Sequence, residues 1–275
     1  MTAPLLNIVD LVVEYPGKGF RAAPFRALKG VSLDIRPGET MGLVGESGSG
    51  KTTLGRAVLG LAPVSGGTVT YDGKDISHLH HRARRRLASE IQVVFQDPYS
   101  SLNPSMTIAE ILAEPLTIAG VAPAEAKRRV KDLLDRVGLP DSASGRLARE
   151  FSGGQRQRVA IARALALDPR LIVCDEPVSA LDLSTQARVL DLFIEIQERT
   201  GVAYLFITHD LAVVRHISHQ VAVMYHGEIV ETGPADRVTT DPDHPYTQKL
   251  LMAAPLPDPD RQAGRRRERA ALLGR

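Results

Sequence analysis

The residues best suited to do chemistry in this chain form one short glycine-rich segment. It reads G-E-S-G-S-G-K-T-T and fits the phosphate-loop pattern G-x-x-x-x-G-K-[S/T] without a mismatch. In such a loop, backbone N–H groups and a helix N-terminus surround phosphate, the lysine reaches the β- and γ-phosphates, and the next hydroxyl ligates Mg²⁺. The sequence therefore predicts that a nucleoside triphosphate and Mg²⁺ bind at Gly45, Glu46, Ser47, Gly48, Ser49, Gly50, Lys51, Thr52 and Thr53.

The residues on either side of this loop predict the context that the motif requires. The segment G-E-T-M-G-L-V, which ends at Val44, is typical of a strand with an apolar end. The segment T-L-G-R-A-V-L-G-L, which begins at Thr53, is typical of a helix. The plain alternative, a glycine-rich turn with an exposed lysine, would not need a strand before it and a helix after it.

Two adjacent carboxylates follow the apolar segment L-I-V-C further along the chain. A buried strand of this kind can bring Asp175 to the phosphate loop, where it would hold Mg²⁺ through water. Glu176 comes one residue later and can polarise an attacking water. A strand that ends in two solvated acids is the plain alternative, and the phosphate loop upstream makes it the weaker interpretation.

A second glycine-containing segment, F-S-G-G-Q-R-Q-R, comes directly before a predicted helix at Val159–Leu167. Ser152, Gly153 and Gly154 would form an anion-binding turn at the N-terminus of that helix. One chain would then carry two phosphate-facing elements.

The elements that must position these residues alternate between strands and helices. Strands are predicted at Leu6–Glu14, Gly30–Ile35, Thr68–Tyr71, Ile91–Phe95, Leu171–Cys174 and Ala203–Ile207, and further helices at Ile108–Ala119, Ala124–Val137 and Thr185–Thr200. We expect an exposed loop from Pro16 to Arg26 and a solvated, basic helix start at Ser77–Leu87. The alternation implies parallel strands with crossover helices, interrupted by a helical insertion from about Asn103 to Arg149.

The composition restricts the class of protein. The 275 residues include 34 Lys plus Arg and 32 Asp plus Glu, a balance that argues against nucleic-acid binding driven by bulk charge. A single cysteine, Cys174, excludes an internal disulfide and fits a reducing compartment. We find neither the pattern of a signal peptide nor an apolar run near the ~20 residues that span a bilayer, so we expect a soluble protein.

In their order, these motifs resemble those of the ATP-binding cassette (ABC) ATPases, with S-G-G-Q-R-Q-R as the family signature. The resemblance covers residues 5 to 255 approximately. It implies an α/β fold: a P-loop NTPase core with a parallel sheet, an antiparallel β subdomain and an inserted α-helical subdomain. It also implies a head-to-tail dimer, in which the signature of one subunit closes over ATP held by the phosphate loop of the other. The signature contacts would come from Ser152, Gly153, Gly154 and Gln155.

Further site residues follow only from the resemblance. Tyr15 resembles the aromatic residue that stacks on adenine, although a strand-end tyrosine is an open alternative. Gln96 resembles the glutamine that contacts Mg²⁺ and the lytic water and joins the core to the helical insertion. Asp182 ends the S-A-L-D loop that crosses the dimer interface. His209 resembles the histidine that contacts the γ-phosphate and the catalytic glutamate, and so acts in catalysis with Glu176 and Gln96.

Three segments resemble the peptide and nickel importers within this family. They are F-Q-D-P-Y-S-S-L-N-P, D-H-P-Y-T-Q-K-L-L, and the loop P-G-K-G-F-R-A-A-P-F-R-A, which resembles the F-type subunit of oligopeptide and dipeptide importers. The implied role is ATP hydrolysis on the cytoplasmic face of the plasma membrane. The implied partners are a second ABC ATPase subunit in a homo- or heterodimer, two permease subunits and an extracytoplasmic solute-binding protein, with no nucleic acid.

Other roles stay open at this point. The cargo could be nickel, glutathione or another small solute, because other subunits choose it. A second alternative is a soluble ABC ATPase that acts in translation or DNA repair, but such proteins usually carry two cassettes or a long coiled coil, and this sequence shows neither. A third is a nucleotide sensor without turnover, which conflicts with an intact Glu176 and His209.

The resemblance also divides the chain into two parts. Residues 1–240 would form the nucleotide-binding domain, with the helical insertion at about 97–150, and residues 241–275 a C-terminal extension with a basic tail. That tail has no cysteine, so it cannot hold the iron–sulfur cluster found in some relatives. Its arginines, Arg265 to Arg267 and Arg269, either touch anionic lipid headgroups or belong to a solubilising tail.

Overall fold

The computed structural model describes residues 3–17 and 23–253 of the chain. The strands in these residues are β1 (Leu6–Tyr15), β2 (Phe25–Ile35), β3 (Thr40–Val44), β4 (Gly66–Tyr71), β5 (Lys74–Asp75), β6 (Ile91–Val94), β7 (Leu171–Asp175), β8 (Ala203–Thr208), β9 (Gln220–Tyr225) and β10 (Glu228–Pro234). The helices are α1 (Lys51–Val58), α2 (His81–Leu87), α3 (Pro98–Ser101), α4 (Ile108–Ile118), α5 (Pro123–Arg136), α6 (Gly153–Leu165), α7 (Leu183–Thr200), α8 (Leu211–Ile217), α9 (Ala235–Thr240) and α10 (Pro245–Ala253). Short 3₁₀ segments cover Asp141–Gly145 and Ala148–Glu150.

The strands form two sheets. A six-stranded sheet has the order β10-β9-β3-β8-β7-β6, and only β10 runs antiparallel to its neighbour. A four-stranded antiparallel sheet has the order β2-β1-β4-β5. This architecture confirms the predicted α/β fold with a parallel sheet, an antiparallel β subdomain and an inserted helical subdomain.

The three central strands carry the predicted motifs at one edge of the parallel sheet. Val44, at the end of β3, lies opposite Thr208, at the end of β8, and Asp175 of β7 lies opposite Ile207. All residues of β3 and β8 are buried, as expected for strands covered on both faces. Because parallel strands end at the same edge, the segments after β3, β7 and β8 meet there.

Hydrophobic clusters on both faces of the parallel sheet hold this edge in place. The antiparallel sheet and α1 pack on one face of the parallel sheet, and α6, α7 and the helical insertion pack on the other. In the second layer, the Phe193 ring meets the rings of Tyr204 and Phe206 edge-on, with centroids 5.4 and 5.6 Å apart. The carboxyl ends of the strands are therefore anchored in a well-packed core.

The helical insertion contains α3, α4, α5 and the two 3₁₀ segments. A capping box begins α4: Thr107 Oγ1 accepts from the Glu110 amide, and the Glu110 carboxylate accepts from the Thr107 amide. Pro123 at the first position of α5 supplies a backbone angle suited to a helix start. No helix in residues 3–17 or 23–253 is long and apolar enough to cross a membrane.

Several element boundaries differ from the predictions. Strand β2 begins at Phe25, not at Gly30, because Phe25 and Arg26 pair with the end of β1. Gly30, with φ of +99°, adjoins a register shift that interrupts the alternation of apolar residues. Helix α6 begins at Gly153, six residues before the predicted start at Val159, because Ser152 caps it. Strands β5, β9 and β10 were not predicted.

The basic segment at Ser77–Leu87 is less solvated than predicted. Within α2, the Arg84 guanidinium donates to the carbonyl oxygens of Val58 and Ile76 at 2.9 and 2.6 Å. Burial lowers the pKa of Arg84. This arginine thus ties α2 to the end of α1, which periodicity in the sequence could not indicate.

Candidate functional site

The predicted phosphate loop connects β3 to α1 and leaves the N-terminus of α1 open. Gly50 precedes the helix with φ of +112°, no side chain caps the helix, and its first turn carries no acidic residue. A Cβ on Gly50 would lie 2.9 Å from Leu28 Cδ2, and a Cβ on Gly45 would collide with the carbonyl oxygen of Met224. Glycine is thus required at both positions, and the uncapped N–H groups are suited to an anion.

Lys51 lies inside the loop, and among the described residues its amine donates only to backbone oxygens. Its Nζ donates to the carbonyls of Gly45 at 2.7 Å and Glu46 at 2.8 Å. Burial lowers the pKa of Lys51, and the negative charges of Glu176, Asp175 and Glu46 act in the opposite direction. The amine is therefore a buried cation that no carboxylate in the described part of the chain binds through a hydrogen bond, so it is available to contact a phosphate.

A cavity of about 290 Å³ lies over this loop. Its lining comprises Phe25, Ala27, Ser47, Gly48, Gly50, Lys51, Thr52, Thr53 and Glu176. A larger cavity of about 750 Å³ is lined by residues of the helical insertion and by none of the predicted site residues. We assign the function to the smaller cavity, because it brings together the loop, a cation and a carboxylate.

Phe25 is a residue of this cavity that the sequence did not predict. Its side chain is 65% exposed, although it is a large hydrophobic residue. Its partner across the β1–β2 ladder is the predicted adenine-stacking residue, Tyr15, which is half-buried against the core. The pairing puts two aromatic residues next to each other at the end of these strands.

Asp175 and Thr52 supply the oxygen atoms suited to Mg²⁺. Thr52 Oγ1 donates to Asp175 Oδ1 at 3.0 Å, so the two predicted ligands already meet. Burial raises the pKa of Asp175, and the hydrogen bond from Thr52 opposes this effect. No group of three or more His, Cys, Asp or Glu side chains in the described residues could hold a metal. The residues therefore fit Mg²⁺ bound jointly by protein oxygens and substrate phosphates.

Glu176 follows β7 in a left-handed backbone conformation, with φ of +48°. Its N–H donates to the Ile207 carbonyl at 2.9 Å, which fixes the peptide against β8. Its Oε2 lies 3.1 Å from Nδ1 of His209, as the predicted pairing requires. Non-glycine residues with positive φ carry backbone strain and cluster at functional sites. Glu176 is thus held at the cavity by its backbone hydrogen bond to β8 and by the contact of its carboxylate with His209.

The buried charge of Asp175 allows a prediction on stability. A carboxyl whose pKa is raised by folding stabilises the protein below its unfolded pKa of about 3.9, and this contribution is lost as the pH rises through the folded pKa. We therefore expect Asp175→Asn to raise the unfolding temperature without nucleotide at pH 7, with a smaller difference near pH 4, close to the unfolded pKa, while Mg²⁺-dependent ATP binding weakens.

Thermal unfolding at the two pH values checks this expectation. Asp72→Asn is the matched control, because the hydrogen bond from Arg170 lowers the pKa of Asp72 and the same substitution should reduce stability at pH 7. A lower unfolding temperature for Asp175→Asn at pH 7 would contradict the prediction.

The signature segment lies elsewhere in the described structure. Ser152 and Gln155 form a capping box at the start of α6, and neither they nor Gly153 and Gly154 line the cavity. A Cβ on Gly154 would collide with the Thr185 side chain, so this glycine is required where α6 meets α7. One chain therefore does not bring its signature to its own phosphate loop.

Asp182 and Gln96 also lie outside the cavity lining. Asp182 caps α7: its Oδ1 accepts from the Ser184 hydroxyl at 2.6 Å and the Thr185 amide at 2.9 Å, and these hydrogen bonds lower its pKa. Gln96 is exposed, two residues after the end of β6. Their predicted roles at the nucleotide stay predictions.

Comparison with known protein families matches residues 28–179, more than half of the chain, to the ABC transporter family. This chain belongs to the ABC transporter family. Residues 230–273 match a second family, described as the C-terminal region of oligopeptide/dipeptide transporters. The two matches confirm the resemblance to ABC ATPases of peptide importers that the sequence motifs indicated.

Relatives within the ABC transporter family include import proteins. The chain is 49% identical to a putative peptide import ATP-binding protein of Brucella ovis, over 98% of this chain and 84% of that protein. It is 48% identical to the glutathione import ATP-binding protein GsiA of Pectobacterium atrosepticum, over 98% of this chain. The chain spans only 44% of the length of that second relative.

Solved ABC transporter structures have the same fold. CbiO1 of Clostridium perfringens, part of the transporter complex cbiONQ, superposes with a TM-score of 0.77 at 26% identity, covering 91% of this chain and 94% of that one. The ATP-binding cassette MJ0796, solved as a dimer in a post-hydrolysis state with ADP and phosphate, gives 0.75 at 29% identity and covers 84% and 98%.

Proposed function

We propose that this chain is the ATP-binding and ATP-hydrolysing subunit of an importer for oligopeptides or dipeptides. The Glu176–His209 pair beside the cavity of the phosphate loop carries the proposal, because it unites a base, an orienting group and a phosphate cradle. The match of residues 230–273 to oligopeptide/dipeptide transporters and the 49% identity to a putative peptide import protein support the cargo class.

The proposed roles of Tyr15 and Gln96 come from the family resemblance, and the geometry of the site supports the others. Backbone N–H groups of the loop and the Lys51 amine hold the phosphates, and Tyr15 stacks on the adenine. Thr52, Asp175 and Gln96 hold Mg²⁺, which when bound neutralises charge on the phosphates. Glu176 takes the proton of the attacking water, and His209 holds the carboxylate in register.

A second ATPase subunit completes the site in this proposal. The signature residues Ser152 to Gln155 do not line the cavity of their own chain, so they are free to close over the nucleotide of a partner. Asp182 would lie at the same dimer interface. Two permease subunits and an extracytoplasmic solute-binding protein would complete the importer on the cytoplasmic face of the plasma membrane.

We propose the same division of the chain that the sequence suggests. Residues 1–240 form the nucleotide-binding domain, with the helical insertion at about 97–150, and residues 241–275 form the C-terminal extension. The arginine-rich tail lies outside the described residues. The nearest competing cargo is glutathione, which is itself a small peptide, and the 48% identity to glutathione import proteins supports it as a second candidate.

The need for a partner predicts how activity depends on concentration. ATP turnover per molecule of isolated chain is expected to rise with protein concentration, because monomers lack the second half of each site. Steady-state ATP hydrolysis, measured from nanomolar to micromolar protein with analytical ultracentrifugation alongside, checks this. High activity per molecule that stays constant down to nanomolar protein would contradict the dimeric mechanism.

Uptake by whole cells tests the proposed role itself. In the source cells, deletion of this chain should abolish ATP-dependent uptake of a labelled dipeptide, and the intact gene, but not Glu176→Gln, should restore it. Loss of glutathione uptake alone would favour the second candidate. Normal uptake of both would overturn the importer assignment.

A further inference from the structure

The C-terminal extension contacts the phosphate loop directly. Tyr246 of α10 accepts a hydrogen bond at its hydroxyl from the Glu46 amide, 3.0 Å away and 200 positions earlier in the chain. The side chain of Tyr246 is buried, and burial raises the pKa of its hydroxyl. No motif in the sequence links these two segments.

The surroundings of Tyr246 hold its ring in place. It packs against Tyr225, at the end of β9, with ring centroids 4.1 Å apart and ring planes tilted by 34°. The carboxylate of Glu231 accepts hydrogen bonds from the amides of Asp243 at 2.8 Å and His244 at 3.2 Å, at the start of the extension. The Tyr246 amide in turn donates to His244 Nδ1 at 3.2 Å. These contacts therefore fix the position of the Tyr246 hydroxyl next to the loop.

The backbone of Glu46 contacts both the C-terminal extension and the loop lysine. The Glu46 carbonyl accepts from Lys51 Nζ at 2.8 Å and from the Ser49 amide at 3.2 Å, while its N–H donates to Tyr246. On the opposite side, the Gly227 amide donates to the Ser49 carbonyl at 2.8 Å. Two contacts from outside the motif thus fix the backbone of a loop that must present its N–H groups inward.

We propose that Tyr246 is a positioning residue for nucleotide binding, acting through its hydrogen bond to the Glu46 amide. This inference rests on the proposed nucleotide site. A glycine-rich loop has many accessible backbone conformations, and a bond that selects one of them reduces the ordering cost of binding phosphate. Because coupling between two binding events is reciprocal, bound nucleotide should also stabilise the packing of the C-terminal extension against the loop.

The variant Tyr246→Phe tests this inference, since it removes the hydroxyl and keeps the ring. One net hydrogen bond corresponds to an affinity change of about 2- to 10-fold. We expect the dissociation constant for ATP and the KM to rise by that factor, with kcat at saturating ATP unchanged. A purely structural role would instead lower the unfolding temperature and leave KM as it is.

Tyr225→Phe is the matched control. It removes a hydroxyl from the partner ring, and that hydroxyl makes no hydrogen bond within the described residues, so its KM should equal that of the unmodified chain. A second variant, Glu231→Ala, removes the support of the extension and should raise KM in the same direction as Tyr246→Phe. If Tyr246→Phe does not fold, the KM of Glu231→Ala tests the inference in its place.

Nuclear magnetic resonance gives a direct readout in the unmodified chain. Without nucleotide, the Glu46 amide should exchange with solvent more slowly than that of Ser47, its neighbour in the exposed loop, and its shift should move in Tyr246→Phe. Unchanged ATP affinity in both Tyr246→Phe and Glu231→Ala, or an unprotected Glu46 amide, would overturn the inference. Absence of ATP binding to the unmodified chain would instead overturn the proposed function.

Discussion

Glu176→Gln is expected to reduce ATP turnover by about 10²–10⁴-fold while ATP still binds. The amide keeps the shape of the side chain but cannot take a proton from water. The phosphate loop, Lys51 and Asp175 are untouched, so bound ATP should persist and hold two subunits closed. Turnover is measured by phosphate release, and the closed dimer by size-exclusion chromatography with ATP and with ADP.

The chain offers a matched control for this experiment. Asp191 Oδ1 lies 3.0 Å from Nε2 of His216, a second His–carboxylate pair that links α7 to α8 away from the cavity. Asp191→Asn breaks that pair with the same change of charge and should keep normal turnover. His209→Ala should also lose turnover, because Glu176 would lose its orienting partner. Hydrolysis by Glu176→Gln within a few-fold of the unmodified chain would refute its role as the base.

Lys51→Ala is expected to weaken ATP binding by about 10- to 100-fold. The value corresponds to one charge-assisted hydrogen bond of about 1.5–3 kcal/mol between the amine and a phosphate. Without nucleotide, the amine donates to the carbonyls of Gly45 and Glu46 instead. Titration with ATP by calorimetry measures the change.

Lys131→Ala controls for the loss of a positive charge. Lys131 lies on the surface of α5 and pairs with Asp141 at 2.8 Å, so its removal should leave ATP affinity unchanged. Equal affinity of Lys51→Ala and the unmodified chain would remove the phosphate loop from the nucleotide site.

The motif residues were predictable because short-range chemistry dictates their spacing. The pattern from Gly45 to Thr53 places glycine at Gly48 and Gly50, where the backbone has positive φ, and such a local requirement is visible in one segment. Periodicity likewise indicated the buried strands β3, β7 and β8. Since parallel strands end at one edge, the meeting of Lys51, Asp175 and Glu176 followed from the fold class.

Element boundaries were less predictable because they depend on partners distant in sequence. Pairing with Tyr15 and Glu14 extends β2 back to Phe25, and Arg84 becomes a buried connector only because the carbonyls of Val58 and Ile76 face it. The alternation of side chains within one strand does not predict such contacts.

The sequence by itself determined the family, the phosphate loop and the pair of carboxylates, since each is a local pattern with one chemical use. The family resemblance also predicted the contact between Glu176 and His209, and the structure gives it a distance of 3.1 Å. Only the tertiary structure decided two further features: Phe25 lines the cavity, and the Tyr246 hydroxyl accepts a hydrogen bond from the Glu46 amide. These contacts join segments far apart in the chain. Their formation depends on how whole layers pack, and packing is a property of three-dimensional shape that no single segment encodes.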